Sequence, residues 1–216
     1  MVVELDIMKR NMIDCQFKPA GISNARLIEA FLSVPRDLFV PGDNKLISYF
    51  DGHIEIKKGR WLLSSLSIAK LINTVDVSRD DIILEIGTAT GYATAVLAHL
   101  TSLVIVVEQD LELFKMTEKN LSHISCDNTL IVKKNHISGY EKSAPYDKIF
   151  IFGSVSSVHD NLLSQLSDNG SLITVVNDNK GTFGKAVVYK KNKNIINVSD
   201  MYEISLPELV GFEKEE

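Results

Sequence analysis

The 216-residue sequence has few cysteines, no long apolar run and no excess of positive charge, and each absence excludes a class of protein. Cys15 and Cys126 are too few and too far apart for a disulfide framework or a metal site, which is typical of a reducing cytoplasm. No apolar run reaches the roughly 20 residues that span a bilayer, and residues 1–15 lack the basic-then-apolar layout of a signal peptide. A net charge of −5 argues against a nucleic-acid partner, which normally requires a basic surface. We therefore expect a cytoplasmic protein with neither a membrane nor a nucleic-acid partner.

The most informative stretch of the chain is DIILEIGTATGY, residues 81–92. Its apolar first half predicts a buried strand, and the alanine-rich residues 92–100 that follow predict a helix. The small residues between them predict a tight turn whose backbone can approach a ligand closely, because Cβ atoms would block that approach. Strand, turn and helix together predict the first unit of a nucleotide-binding α/β fold.

The residues of the turn indicate which nucleotide it binds. A dinucleotide fingerprint requires glycine at its first, third and sixth positions, which here are Gly87, Ala89 and Tyr92. The tyrosine fits poorly where a helix must pack closely on a strand, so a dehydrogenase is disfavoured. An acid two residues before the first glycine and small residues at alternate positions form another pattern, here Glu85, Gly87, Ala89 and Gly91. This stretch resembles the cofactor turn of S-adenosylmethionine-dependent methyltransferases.

The resemblance implies S-adenosylmethionine as cofactor and S-adenosylhomocysteine as product. It implies that Glu85 takes part in holding the cationic methionine end. Glu108 follows a second apolar strand, residues 103–107, and is placed to accept hydrogen bonds from both ribose hydroxyls, a role also found in NAD enzymes. The cofactor-binding candidates are Glu85, Gly87, Thr88, Ala89, Gly91, Glu108, Gln109 and His136.

The residues before this motif predict three helices. An amphipathic helix is expected over residues 3–15, with Val3, Ile7 and Met8 towards the core. A second helix, capped by Ser23 or Asn24, is expected to end at Pro35, and a third, over residues 66–75, is expected to be capped by Ser64 or Ser65.

The residues after the motif alternate between strand and helix patterns. Strands are expected over residues 130–132, 148–152, 171–176, 186–189 and 195–198, and helices over residues 111–121 and 162–166. This alternation predicts a Rossmann-like, doubly wound, mostly parallel seven-stranded sheet with helices on both faces and an N-terminal helical extension. The ligand is expected at the carboxyl ends of the first strands. The residues leave the order of the last strands open, although the resemblance to methyltransferases suggests an exchanged order at that edge.

Most of the chain resembles the protein-L-isoaspartate O-methyltransferase family. The matching segments are VPRDLFVP (34–41), EIGTATGYATAVLAHL (85–100), VVEQD (106–110), APYDKIFIFGS (144–154) and LLSQLSDNGSLITVV (162–176). The combination of VPR-x-x-FVP with the cofactor turn is fairly specific. The resemblance implies methylation of the α-carboxylate of isoaspartyl residues in damaged proteins, which starts their repair. It divides the chain into a helical extension with a substrate-side loop, residues 1–78, and a cofactor-binding domain, residues 79–216, which together form one compact unit.

Two positions depart from the family pattern. The family carries Gly-x-x-Ile-Ser-x-Pro before its third helix, and alignment on Gly59 places Leu63 at the active-site serine and Ser65 at the proline. The family also carries Gly-Asp-Gly after its third strand, where the acid contacts the adenine amino group. Here that segment reads Asn135, His136, Ile137, so the carboxylate is missing and a His or Asn side chain is left to hydrogen-bond adenine instead.

The chemistry of methyl transfer decides how much these departures matter. A carboxylate acceptor is already ionised at neutral pH, so no general base is required and positioning is nearly the whole mechanism. Ser64 and Ser65 are the catalytic candidates that can supply a positioning hydroxyl, although both are also natural helix caps. The expected partner is a peptide or protein carboxylate, or another small acceptor. Two alternatives stay open: an O-methyltransferase of the same fold with a different acceptor, and a non-catalytic relative. The sequence does not give the oligomeric state.

Overall fold

The computed structural model describes residues 2–42, 45–177 and 183–212, with the side chains of Val2 and Val3 left out. Helices and a small hairpin come first in the chain. Helix α1 (Val2–Met12) continues into a single π-helical turn (Ile13–Phe17) and is followed by α2 (Ala25–Ser33), the antiparallel strands β1 (Ile54–Lys57) and β2 (Arg60–Leu62), and α3 (Ser65–Asn73).

A seven-stranded sheet, with helices between its strands, follows in the chain. In chain order the elements are β3 (Ile82–Ile86), α4 (Tyr92–Leu100), β4 (Leu103–Glu108), α5 (Leu111–His123), β5 (Thr129–Lys133), β6 (Tyr146–Val155), α6 (Asp160–Ser164), β7 (Leu166–Val176), β8 (Gly184–Asn192) and β9 (Ile195–Ile204). The strand order is β5-β4-β3-β6-β7-β8-β9. The exchanged order suggested for the last strands is wrong, because β8, rather than β9, pairs with β7. Strands β3 to β7 pair parallel with one another, whereas β8 pairs antiparallel with both β7 and β9. The predicted Rossmann-like, mostly parallel sheet is confirmed.

Alternate residues of the central strands enter separate cores on the two faces of the sheet. Ile83 and Val106 pack with the N-terminal helices, while Leu84 and Val107 pack on the opposite face with Leu162 of α6. Because both faces are covered, these strands are apolar throughout rather than alternating with polar residues.

Side-chain caps fix where two of the helices begin. The Oδ1 atom of Asn24 accepts a hydrogen bond from the amide of Leu27 at 3.2 Å, and the hydroxyl of Ser64 accepts one from the amide of Ser67 at 3.1 Å. Each cap satisfies an amide that has no partner within the first helical turn. Of the predicted alternatives, Asn24 and Ser64 are therefore the caps. Within the described residues, no helix is long and apolar enough to cross a membrane.

Two expectations about helices are wrong in detail. The side chain of Ile7 is 53% exposed, and the buried residues of this region, Met12, Ile13 and Phe17, lie in or next to the π-helical turn. The inward face of α1 is formed by Leu5, Met8 and Met12 at regular helical spacing, and Ile7 lies beside that face. The side chain of Val3, also expected in the core, lies outside the described part. The helix expected over residues 162–166 ends at Ser164, and β7 begins at Leu166.

Tyr92 joins the N-terminal helices to the cofactor turn. Its buried ring lies 6.0 Å from the ring of Phe31 and 5.6 Å from that of Phe39, between centroids. Residues from both sides of the proposed boundary at residue 78 therefore share one core, and the division itself stays a prediction. This packing explains why a large aromatic side chain follows the small residues of the turn.

Replacing Phe31 with alanine should remove much of this joint core. The ring is fully buried and makes an edge-to-face contact with Phe17 at 4.8 Å between centroids. We expect Phe31→Ala to lower the free energy of unfolding by about 3–5 kcal/mol, measured by urea denaturation. Phe50→Ala, at a site 57% exposed, is the matched control and should change it by less than about 0.5 kcal/mol. Equal effects at both positions would show that Phe31 does not support the core.

Candidate active site

The turn between β3 and α4 lies at the carboxyl end of the central strand. Gly87 and Gly91 have φ angles of +79° and +92°, a region that glycine adopts without strain. Ala89 also lies there, at +58°, which is unusual for a residue with a Cβ atom. Helix α5 fixes this backbone, because Asn120 donates a hydrogen bond to the Thr90 carbonyl at 2.9 Å. The turn is therefore a rigid, predefined surface.

Glu85 is a buried carboxyl group at the start of this turn. It is fully inaccessible to solvent, and neither carboxyl oxygen has a hydrogen-bond partner among the described residues. Burial raises its pKa to about 8, and the nearby hydroxyls of Thr94 and Thr88 only partly oppose the rise. Those hydroxyls bond to each other at 2.7 Å. A buried acid without a partner is a candidate for binding a cationic ligand group.

Glu108 is a second fully buried carboxyl group, at the end of β4, and in contrast it is fully paired. Arg60 donates to it through both terminal nitrogens, at 2.8 Å to Oε1 and 2.6 Å to Oε2. The amide of Asp110 adds a hydrogen bond to Oε1 at 2.9 Å. Burial alone would raise the pKa of Glu108, but the hydrogen bonds from Arg60 and His136 outweigh it and lower the pKa to about 2. Glu108 is therefore a permanent anion held by Arg60.

Gln109 and His136 lie beside Glu108 and bond to each other. The backbone amide of Gln109 lies 3.4 Å from Nε2 of His136, and the backbone amide of His136 donates to the side-chain Oε1 of Gln109 at 3.3 Å. Nε2 of His136 also lies 3.4 Å from Oε1 of Glu108, and Nδ1 lies 2.9 Å from the carbonyl of Val210. Both ring nitrogens are thus engaged within the protein, and the adenine contact stays a prediction.

The two serine candidates are held by neighbouring groups. The hydroxyl of Ser64 caps α3 and bonds to the hydroxyl of Ser67 at 2.9 Å. The hydroxyl of Ser65 lies 3.4 Å from that of Tyr92. Leu63, by contrast, borders both small cavities above the turn, and neither serine does. The catalytic role of the two serines stays a prediction.

The crevice above the turn is narrow. Two cavities of about 10 Å³ each lie along it, both bordered by Trp61, Leu63, Gly87 and Phe152. Such a volume holds roughly one water molecule, whereas small-molecule sites measure roughly 300–1,000 Å³. In this conformation the predicted cofactor residues are together but closely covered.

Three residues that cover the crevice above the turn were not identified from the sequence. Arg60 reaches Glu108 from the β1–β2 hairpin, while Leu209 and Val210 reach the turn and His136 from beyond the sheet. The position of Glu108 at the end of a buried strand could have predicted a cationic partner, since a buried acid needs a cation when no ligand supplies hydrogen bonds. Arg60 is that partner. No local pattern marks Leu209 or Val210.

The architecture and the turn define a class. A parallel sheet with β3 at its centre and an acid before a small-residue turn is the arrangement of nucleotide-binding methyltransferases. Solved structures of this class share the fold. A protein-L-isoaspartate O-methyltransferase has a TM-score of 0.84 at 22% identity, with 94% of this chain and 66% of that chain covered. A putative protein-L-isoaspartate O-methyltransferase from Plasmodium falciparum, in complex with S-adenosyl-L-homocysteine, has a TM-score of 0.75 at 21% identity, with 94% and 97% covered.

Sequence comparison gives the particular family. The family model Protein-L-isoaspartate(D-aspartate) O-methyltransferase (PCMT) matches residues 8–211. The protein-L-isoaspartate O-methyltransferase of Methanospirillum hungatei is 30% identical over 170 residues, 79% of each chain. Protein-L-isoaspartate O-methyltransferase 2 of Marinobacter nauticus is 32% identical over 186 residues, covering 82% of this chain and 81% of its own. The chain belongs to the protein-L-isoaspartate O-methyltransferase family of S-adenosylmethionine-dependent enzymes.

The buried turn fits the cationic end of S-adenosylmethionine. The cofactor carries an ammonium group, and Glu85 is a buried acid whose two oxygens have no partner among the residues described. Glu108 fits the ribose hydroxyls only when Arg60 releases its oxygens, because Oε1 already accepts hydrogen bonds from Arg60 and Asp110. The residues therefore fit the cofactor in an opened form of the crevice.

The raised pKa of Glu85 predicts a stability cost that grows with pH. Unfolding lets this carboxyl ionise above about pH 4.5, whereas in the folded protein it keeps its proton until about pH 8. The stabilisation that the Glu85 carboxyl adds to the free energy of unfolding is thus fully present below pH 4.5 and is lost as the pH rises to 8. Glu85→Gln should match the wild type near pH 4.5 and exceed its unfolding free energy by at least about 1 kcal/mol at pH 8.

Urea denaturation between pH 4.5 and pH 8.5 measures this difference. Glu118→Gln, on the exposed side of α5, is the matched control and should differ from the wild type by a constant amount. A constant difference for Glu85→Gln as well would mean that Glu85 is ionised in the folded protein at neutral pH.

Proposed function

We propose that the chain methylates the α-carboxylate of isoaspartyl residues in damaged proteins, using S-adenosylmethionine. The observation that carries this proposal is the unpaired, fully buried carboxyl of Glu85 at the start of the cofactor turn. Leaving such a group without a partner is costly unless a ligand completes it. Membership of the protein-L-isoaspartate O-methyltransferase family supports the choice of cofactor and acceptor.

The turn would hold the cofactor through charge and backbone shape. Glu85 would pair with the ammonium group, and the backbone at Gly87 would allow close approach because no Cβ atom is present. When bound, S-adenosylmethionine supplies an electrophilic methyl group on a sulfonium, so a carboxylate acceptor becomes a methyl ester and S-adenosylhomocysteine remains. Pairing would also keep Glu85 ionised, since a nearby cation lowers the pKa of an acid.

On the acceptor side the chain has only to orient a carboxylate and exclude water. An isoaspartyl α-carboxyl is ionised at neutral pH, so no residue need remove a proton. Trp61, Leu63 and Phe152 form apolar walls above the turn that would keep solvent from the reacting atoms. The hydroxyls of Ser64 and Ser65 are directed to Ser67 and Tyr92, and neither serine borders the cavities above the turn.

The apolar wall also favours a second candidate function. Leu63 stands at the family's serine position and borders both cavities. An acceptor with an apolar group next to its carboxylate or hydroxyl would gain from this contact, whereas an isoaspartyl peptide would lose a hydrogen bond. An O-methyltransferase with a more apolar acceptor is therefore the alternative.

Calorimetric titration with S-adenosylhomocysteine tests the cofactor assignment. We expect binding to the wild type and at least about 10-fold weaker binding to Glu85→Gln, because amide and ammonium lack the charge attraction of an ion pair. Glu118→Gln should bind like the wild type. Affinity unchanged by Glu85→Gln would remove Glu85 from the cofactor site.

Restoring the family's serine tests the acceptor. Leu63→Ser should raise kcat/KM for methylation of an isoaspartyl peptide by about 10- to 150-fold, the value of one hydrogen bond to a charged group. Leu63→Ala is the matched control, because it opens the same space without a hydroxyl. If alanine raises the rate as much as serine, the gain comes from space alone; if serine lowers it, the acceptor is more apolar than an isoaspartyl peptide.

A further inference from the structure

The described chain ends in a segment that crosses the carboxyl ends of the central strands. Residues 205–212, here called the C-terminal strap, bond to Ser154 of β6 on both sides. The Ser154 amide donates to the Pro207 carbonyl at 2.9 Å, and the Leu209 amide donates to the Ser154 carbonyl at 2.8 Å. These paired bonds fix the strap directly beside the cofactor turn.

One strap side chain fills the space that the glycines leave open. A Cβ atom on Gly87 would lie 2.7 Å from Cδ2 of Leu209, and a Cβ atom on Gly153 would lie 2.7 Å from its Cβ atom. Leu209 is only 5% exposed. The close approach that glycine permits at this turn is therefore taken by Leu209 of the same chain.

Arg60 occupies Glu108, the candidate partner of the ribose hydroxyls in the same site. Its two-pronged contact with Glu108 is the strongest geometry available to an arginine and a carboxylate. With Arg60 in place, Oε1 of Glu108 also accepts from the Asp110 amide, so only Oε2 retains a free lone pair. Two ribose hydroxyls cannot both bond to Glu108 in this arrangement.

Two histidines link the hairpin side to the strap. His136 lies 3.4 Å from Glu108 and 2.9 Å from the carbonyl of Val210, which also accepts from Gln109 at 3.2 Å. His53 accepts from the Ser64 amide at 3.0 Å and lies 3.3 Å from the Ser205 carbonyl. The strap and the hairpin are thus connected at both ends and form one cover.

We propose that Arg60 and the C-terminal strap hold the cofactor site closed, so that cofactor binds only after the Arg60–Glu108 pair breaks and Leu209 moves. This inference rests on the proposed function and adds a self-inhibiting contact to it. The measured dissociation constant then equals the constant of the open form divided by the fraction of molecules that are open. Weakening the cover raises that fraction and tightens binding without any new contact to the cofactor.

Calorimetry with S-adenosylhomocysteine tests this prediction in two variants and one control. Leu209→Ala removes the side chain from the glycine space, and Arg60→Lys keeps the positive charge but loses the two-pronged contact. We expect each to bind at least about 3-fold more tightly than the wild type, because each increases the open fraction. Leu130→Ala is the matched control: its side chain is 42% exposed on β5, outside the cover, and its affinity should equal that of the wild type.

Two further readouts follow the cover itself. Amide hydrogen exchange at Ser154 and Leu209 reports the paired strap bonds and should accelerate when S-adenosylhomocysteine saturates the wild type. Trp61, the single tryptophan of the sequence, borders both cavities of the crevice, so its fluorescence should change on saturation.

The outcomes separate this inference from the proposed function. Tighter binding by both variants, with faster exchange at Ser154, supports closure. Equal affinity in all proteins, with both amides still protected at saturation, overturns closure and leaves the cofactor assignment intact. Absence of binding in the wild type and in both opened variants overturns both, because opening then reveals no site.

Discussion

The buried ion pair between Arg60 and Glu108 is the interaction on which the arrangement of the site depends. A carboxylate with no solvent contact needs a charged, hydrogen-bonded partner, and loss of one member of such a pair typically costs about 3–5 kcal/mol. Because Arg60 begins β2, the pair fixes the hairpin above the carboxyl ends of the sheet. Trp61 and Leu63 are thereby placed across the turn, and Leu209 packs on the wall that they form. Sheet and hairpin are therefore joined through this contact, and the strap is held beside it by its own bonds to Ser154 and His136.

Features that depend on residues close together in sequence were predictable. The strand–turn–helix at Glu85 to Tyr92 follows from an apolar run that stops at small residues, and the caps at Asn24 and Ser64 follow from polar side chains just before apolar periodicity. The position of Glu108 at a strand end was equally local. Because parallel strands bring their carboxyl ends to one edge, placing these residues in a common region needed only the fold class.

Whether those residues are paired or covered depends on contacts between residues far apart in sequence, which no local pattern contains. Arg60 and Glu108 are 48 positions apart, and Gln109 and Val210 are 101 apart. Such pairings follow from the tertiary path of the hairpin and strap, which composition and periodicity do not encode. The expected core position of Ile7 failed for a different reason: Leu5, Met8 and Met12 form the inward face of α1, and the adjacent apolar Ile7 lies outside it. The serine candidates were ambiguous because capping and substrate binding use the same chemistry.

The position of the strap late in the chain has a consequence for biosynthesis. Translation releases β3, the cofactor turn and β6 from the ribosome well before residues 205–212 exist, and folding of the emerging chain proceeds from its N-terminal side. During that interval Gly87 and Gly153 have no leucine above them. A newly made molecule therefore carries the Arg60 side of its cover without the strap, and a cofactor bound in that interval would be enclosed when residues 205–212 dock. The history of a molecule, and not only its equilibrium, can determine whether its crevice is filled.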